Sequence, residues 1–162
     1  MRTALHYLCF ATLSFVLGPF AASAAEAAIT PARFNARIGG FLGVTYEVEL
    51  RRDGVSYTKF AAGHRKPTLT VIKPTTAQWR DFRVALDELR IWQWRPEYPN
   101  TSTRDGTQWA LDIAYGDRAL KTRGDNNYPT AAGKPNGKPQ MTQSFGRYLA
   151  AVEKLLGGKT FK

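Results

Sequence analysis

Two segments of the chain alternate strictly between apolar and polar residues, and this alternation constrains the fold more than any other feature. In residues 44–51 one face carries Val44, Tyr46, Val48 and Leu50. In residues 109–115 one face likewise carries Trp109, Leu111, Ile113 and Tyr115. Because successive side chains of a strand point to opposite faces, each segment predicts a half-buried strand.

Shorter runs of β-forming residues surround these two segments. Strands are predicted for residues 55–60, 68–72, 91–95 and 118–123. Asp53-Gly54 predicts a tight hairpin turn before the first of them. Gly116-Asp117 predicts a second tight turn, before the last of them.

Two amphipathic helices are also predicted. The first begins after Thr75, whose side chain can cap the helix, and Gln78 completes a capping box. Its apolar stripe consists of Trp79, Phe82, Leu86 and Leu89. The second helix covers residues 142–156 and is ended by Gly157-Gly158.

The predicted elements follow one another as strands, helix, strands, helix. Grouped strands favour an antiparallel sheet, so we expect an α+β fold with a mostly antiparallel sheet of about five to six strands packed by two amphipathic helices. Residues 34–162 are expected to form this single domain, because no linker or repeat interrupts them. Residues 25–33 are rich in Ala and Pro, and are predicted to be a flexible leader.

Residues 1–24 are organised like an export signal. Arg2 supplies a positive charge, residues 7–17 form a short apolar run, and the Ala-Ser-Ala of residues 22–24 matches a signal peptidase site. The apolar run is too short for a membrane span. We therefore predict cleavage, no transmembrane span in the mature chain, and a periplasmic or extracellular location.

The turns and strands near the C-terminus resemble a known family. Asp105-Gly106 precedes the alternating Trp109, Leu111 and Ile113, a hairpin follows, then Gly124-x-Asn126-x-Tyr128-Pro129 and a closing amphipathic helix. This arrangement resembles a small family of uncharacterised bacterial secreted domains, over roughly residues 40–161. The family carries no assigned activity, so the resemblance implies one compact exported domain and no site residue.

The mature chain lacks residues that several kinds of site need. Cleavage would remove Cys9 and leave His64 as its only histidine. A cysteine nucleophile or a structural zinc site would therefore lack the residues it needs, and a serine triad would have only His64 as its base. We predict no cofactor and no metal. Glu47 and Glu49 lie side by side on one strand face, whereas glycoside hydrolysis needs two carboxyls across a bound sugar.

Positive charge is the first candidate for function. The chain has 23 Lys and Arg against 13 Asp and Glu, a formal charge of +10. One basic group lies on the last predicted hairpin and the Pro/Gly-rich loop 130–140: Arg118, Lys121, Arg123, Lys134 and Lys138. Such a surface suits an anionic polymer, lipid headgroups or an acidic protein. Alternatively, the charges are merely dispersed and protect an edge strand.

Aromatic residues are the second candidate. Trp92 and Trp94 would share one face of the strand predicted for residues 91–95, with Tyr98 and Arg95 nearby. If that face is open, the rings form a platform for stacking a sugar. If it faces the helices, they belong to the core, which is the interpretation that small sheets favour.

These observations predict an exported, non-catalytic binding module whose ligand is unidentified. One candidate ligand is an anionic component of the cell envelope, contacted by the basic surface. The alternatives are a hydrolase acting on envelope glycan, and an inhibitor of a partner protein that inserts the loop 130–140. Nucleic acid is not an expected partner, because no nucleic-acid motif is present.

Overall fold

The computed structural model describes residues 29–40, 43–62, 66–100 and 106–162, which form one α+β domain. A seven-stranded sheet is packed by two helices, so the predicted fold class is confirmed with slightly more strands. The strands are β1 (Arg33–Gly40), β2 (Thr45–Arg51), β3 (Gly54–Phe60), β4 (Thr68–Ile72), β5 (Glu97–Tyr98), β6 (Thr107–Ala114) and β7 (Ala119–Asp125). The helices are α1 (Thr76–Glu88), α2 (Gln143–Leu155) and the 3₁₀ helix Ile91–Gln93.

The sheet has the strand order β4-β3-β2-β1-β6-β7-β5. All neighbouring strands are antiparallel except β5 and β7, which are parallel. The predicted export signal, residues 1–24, and His64 lie outside the described residues. Neither described helix is long and apolar enough to cross a membrane.

Strand β1, which lies at the centre of the sheet, was not predicted from the sequence. It pairs with β2 on one side and with β6 on the other. Its buried residues Phe34, Ala36 and Ile38 alternate with polar ones, so the same period-two signal is present. Order also extends before Phe34, since the backbone N–H of Ala32 donates to the carbonyl oxygen of Ala114 at 2.7 Å.

The core lies between one face of the sheet and the two helices, and aromatic rings fill much of it. Phe34 of β1 packs on Phe82 of α1 with ring centroids 5.2 Å apart. Trp109 of β6 packs on Phe145 of α2 at 4.7 Å. Pairs at these distances contribute about 0.5–1.5 kcal/mol beyond the area that they bury.

Both helices begin and end as the sequence predicts. The Thr75 hydroxyl accepts from the backbone N–H of Gln78, and the Gln78 side chain accepts from the backbone N–H of Thr75, which completes the capping box. Thr142 caps α2 in a similar way, and Gly157 follows the helix with a φ of 68°. An exposed ion pair of 2.8 Å joins Lys154 of α2 to Asp81 of α1.

The prediction of a strand over residues 91–95 is wrong. A 3₁₀ helix covers Ile91–Gln93 instead, and the next strand, β5, contains only Glu97–Tyr98. The buried residues are Ile91 and Trp94, three positions apart, which is the period of a 3₁₀ helix rather than of a strand. A five-residue run is too short for the two periods to be told apart from the sequence.

The predicted hairpin between β2 and β3 is present, but its turn lies one residue earlier. Gly54 pairs with Arg51, so Arg52 and Asp53 form the turn. Gly54 has a φ of 142°, a conformation that favours glycine.

The Trp109 indole lies directly against Gly124 of β7, so we predict that a larger residue at position 124 destabilises the domain. A Cβ at Gly124 would overlap the indole of Trp109, which is packed against Phe145. We expect Gly124→Ala to lower the free energy of unfolding by about 1–3 kcal/mol, measured by urea denaturation.

Gly146 in α2 provides the matched control. A Cβ there meets no atom within 4 Å, and alanine favours a helix. Gly146→Ala should therefore raise the free energy of unfolding by about 0.5–1 kcal/mol. Equal effects of the two substitutions would contradict the packing of Trp109 on Gly124.

Candidate binding groove

The face of the sheet opposite the helices forms a groove of about 1240 Å³. All seven strands contribute residues to it, and β5 contributes only Glu97. Concave sites of this scale are where proteins usually bind ligands. The groove is therefore the main candidate functional site among the described residues.

The strand register sets the polar side chains of the groove in rows that cross the sheet. One row runs Glu49, Asn35, Asp112 and Lys121, across β2, β1, β6 and β7. A second row runs Glu47, Arg37, Ala110, Arg123 and Glu97, across β2, β1, β6, β7 and β5. Strand pairing sets Lys121 of β7 opposite Asp112 of β6 in the first row, and Arg37 of β1 opposite Glu47 of β2 in the second. Acidic and basic side chains therefore lie next to one another on this face.

Four ion pairs hold the charged side chains on this face. Arg37 contacts Glu47 at 3.2 Å, and Arg33 contacts Asp112 at 2.8 Å. The other two pairs, each at 2.5 Å, are Arg51 with Glu49 and Arg123 with Glu97. Each pair is partly exposed, so each adds about 1 kcal/mol or less to stability.

The groove is not a basic site. Four basic and five acidic side chains line it, so its charge is mixed: Arg37, Arg51, Lys121, Arg123, Glu47, Glu49, Asp53, Glu97 and Asp112. A ligand that carries charges of both signs suits this lining better than a purely anionic one.

The part of the groove formed by β3 and β4 carries no charge. Ser56 and Thr58 of β3 lie there beside Leu69 and Val71 of β4. Leu69 is 63% exposed and Val71 is 44% exposed. The groove therefore has a charged part and an uncharged, partly apolar part.

The structure places Trp94 and Tyr98, two of the predicted binding residues, in the core. Trp94 is 4% exposed and packs against Tyr148, with ring centroids 5.6 Å apart. Tyr98 is fully buried, and its hydroxyl donates to the carbonyl oxygen of Gly133 at 2.6 Å. The backbone N–H of the exposed Arg95 donates to the same hydroxyl at 2.9 Å. These rings therefore offer no open platform.

Trp92 is half-buried and belongs to a network around Arg83 of α1. The Arg83 guanidinium lies 4.1 Å from the centre of the Tyr115 ring and 5.3 Å from that of Trp92. It donates two hydrogen bonds to Asp117, at 2.8 and 3.2 Å. The Trp92 indole N–H donates to Asp87 at 2.6 Å.

Arg118, another predicted binding residue, completes this network. Its side chain donates to Asp117 at 2.8 Å and to Asp87 at 3.2 Å. The network attaches the turn between β6 and β7 to helix α1. Arg83 and Arg118 donate to the Asp117 carboxylate and lower its pKa to about 2, while burial raises the pKa of Tyr115 above its usual range.

The five predicted basic residues do not form one patch. Lys121 and Arg123 line the groove, whereas Arg118 lies in the network at the turn. Lys134 and Lys138 are exposed on the Pro/Gly-rich loop and do not line the groove.

The Pro/Gly-rich loop is held in place by asparagines. The Asn127 side chain donates to the carbonyl oxygen of Pro99 and accepts from the backbone N–H of Gly137. The Asn136 side chain accepts from the backbone N–H of Tyr128. These bonds connect the loop to the body of the domain at several points.

Sequence reasoning missed Asn35, Arg37 and Asp112 as groove residues. The signal that could have revealed the first two is the alternation of residues 33–38, which places them opposite the buried Phe34 and Ala36. Their proximity to Asp112 depends on the pairing of β1 with β6, which no local pattern specifies. Among the described residues, no three His, Cys, Asp or Glu side chains are grouped to hold a metal ion.

Comparisons with known proteins assign no relative. No family model matches the sequence, and no curated protein is significantly similar to it. The resemblance to uncharacterised bacterial secreted domains therefore rests only on the sequence motifs between Asp105 and Pro129 and on the closing helix.

The burial of Trp94 predicts a loss of stability on truncation. We expect Trp94→Ala to lower the free energy of unfolding by about 3–5 kcal/mol, measured by urea denaturation. The Trp94 indole N–H has no hydrogen-bond partner among the described residues, so Trp94→Phe should be much less harmful. A Trp94→Ala variant as stable as the wild type would contradict the core position.

The network at the turn predicts a dependence of stability on pH. Because the folded pKa of Asp117 lies near 2, below its ordinary value of 3.8, the stabilisation is present above about pH 4 and is lost as the pH falls towards 2. The difference in unfolding free energy between wild type and Asp117→Asn should therefore shrink over that range. An NMR titration in which the Asp117 carboxyl retains its ordinary pKa would refute this assignment.

Proposed function

We propose that the protein is an exported, non-catalytic binding module whose ligand occupies the groove on the open face of the sheet. The observation that carries this proposal is the groove, which is about 1240 Å³ in volume and is lined by residues of all seven strands. Its side chains stand on strands, which position them more rigidly than loops do. The pattern of residues 1–24 supports export.

The lining supports a ligand with charges of both signs. Carboxylates of Glu47 and Asp112 alternate with the cationic groups of Arg37 and Lys121 across the sheet. A glycan that bears short peptides, such as peptidoglycan, carries carboxylates and amines of this kind. The apolar surface of Leu69 and Val71 suits the aliphatic parts of those peptides.

Binding is a better proposal than hydrolysis because most carboxylates of the groove are already paired with a cationic side chain. Glu47, Glu49 and Asp112 are each paired with an arginine. Hydrolysis of a glycan requires one carboxyl that delivers its proton to the leaving oxygen. The three ion pairs support a role for these residues in charge recognition.

The test is sedimentation of the mature protein with insoluble peptidoglycan. We expect the double variant Arg37→Gln/Lys121→Gln to bind about tenfold more weakly, since hydrogen bonds from charged groups contribute about 1.5–3 kcal/mol each. The matched control is Lys134→Gln/Lys138→Gln, which removes the same charge from the loop and should bind as the wild type does. Vesicles that contain phosphatidylglycerol provide a purely anionic probe.

Each outcome has a distinct meaning. Loss of binding in the loop variant alone would place the ligand on the basic loop and refute the groove. Wild-type binding to vesicles but not to peptidoglycan would replace the mixed-charge ligand with an anionic one. Release of reducing sugars from peptidoglycan would show that the protein is a hydrolase.

A further inference from the structure

Strand β4 forms an edge of the sheet, and its outer side has no partner strand among the described residues. The opposite edge, β5, contains only two residues, whereas β4 contains five. An edge strand presents free backbone N–H and C=O groups that can pair with another strand. β4 is therefore the longer open edge of this sheet.

The sequence of β4 favours pairing. Thr68–Ile72 consists of Thr, Leu, Val and Ile, and includes neither a charged residue nor a proline. Natural edge strands usually carry such residues, because these residues prevent pairing with other chains. Here the pairs Lys66-Pro67 and Lys73-Pro74 stand just outside the strand and limit its length.

The side chains of β4 add an apolar stripe to this open edge. Leu69 and Val71 point to the same face and are two of the four large hydrophobic residues that are exposed in the described part of the chain. They pair with Thr58 and Ser56 of β3, which are uncharged. A strand added beside β4 would cover both side chains.

The chain segment that contains β4 is basic in sequence. Residues 54–80 contain no Asp or Glu, and their basic residues are Lys59, Arg65, Lys66, Lys73 and Arg80. Lys66 and Lys73, at the two ends of β4, are both exposed. An added strand with acidic residues near its ends would meet opposite charges at both ends.

A second copy of the chain fits this edge poorly. An antiparallel pairing of two β4 strands about Thr70 would place Lys73 of one copy opposite Pro67 of the other, one position from its Lys66, at both ends. Like charges placed side by side destabilise a strand pair. The formal charge of +10 on each chain adds further repulsion.

We propose that β4 binds an extended, acidic segment of a partner protein by adding it to the sheet as an eighth strand. The main chain of the segment pairs with β4, and apolar side chains at alternate positions cover Leu69 and Val71. Acidic residues on either side of these positions contact Lys66 and Lys73. This surface shares Leu69 and Val71 with the uncharged part of the groove, but the proposal is argued from the edge of β4 and does not rest on the proposed function.

The probe is a synthetic fluorescent peptide of alternating threonine and valine with two glutamates at each end. Its matched control carries lysines in place of the glutamates. We expect the full chain to bind the acidic peptide at least about tenfold more tightly, by fluorescence anisotropy. The difference should shrink when ionic strength rises from about 0.05 M to about 0.5 M. A third peptide with proline at its centre cannot pair and should not bind.

Variants of the protein locate the contact. Leu69→Asp introduces a charge on β4 and should weaken peptide binding by about tenfold or more. Val84→Asp is the matched control, because Val84 is 50% exposed on helix α1 and lies away from the edge. Lys66→Gln/Lys73→Gln should also weaken binding, whereas Lys134→Gln/Lys138→Gln should not.

The remaining outcomes overturn the proposal. Equal binding of the acidic and basic peptides, or no binding of either, would show that the lysines only protect the edge. A dimer by analytical ultracentrifugation that Leu69→Asp converts to a monomer would assign β4 to a second copy. Loss of peptide binding in Arg37→Gln/Lys121→Gln but not in Leu69→Asp would place the peptide in the groove.

Discussion

The rest of the structure depends on the sheet having one apolar face. The strands place their buried apolar side chains towards the two helices, and the packing of Trp109 between Gly124 and Phe145 joins the sheet to α2. Without a disulfide in the described part, which contains no cysteine, this packing must stabilise the domain by hydrophobic burial and backbone pairing. The two helices cover this face only, and no described helix covers the opposite face.

The open face follows from the same alternation. Each residue that separates two buried positions of a strand points away from the helices, and in β1 and β2 these residues include Arg37, Glu47 and Glu49. Pairing between strands then sets opposite charges side by side, as in Arg37 with Glu47. The mixed charge of the groove is thus a consequence of the strand register. At β3 and β4 the paired side chains on this face, Ser56 with Val71 and Thr58 with Leu69, carry no charge.

Aromatic and cationic residues close together in a sequence do not by themselves indicate a ligand site. Trp92, Arg83 and Arg118 form a network with two aspartates that holds a β-turn on helix α1. Trp94, two residues after Trp92, is buried in the core. Burial and pairing of such residues depend on the strand and helix they meet, so sequence position alone could not separate these roles.

The sequence by itself determined the local elements: the capping box at Thr75, the alternation of β2 and β6, and the apolar stripes of both helices. These depend on neighbouring residues, whose periodicity is visible in the chain. Only the tertiary structure decided the central position of β1, the 3₁₀ helix at Ile91, and the meeting of Asn35 with Asp112 in the groove. The position of β1 and the meeting of Asn35 with Asp112 require pairing between residues far apart in the chain, which no local pattern encodes. The 3₁₀ helix is local, but the burial of Ile91 and Trp94 in the core selects it over a strand.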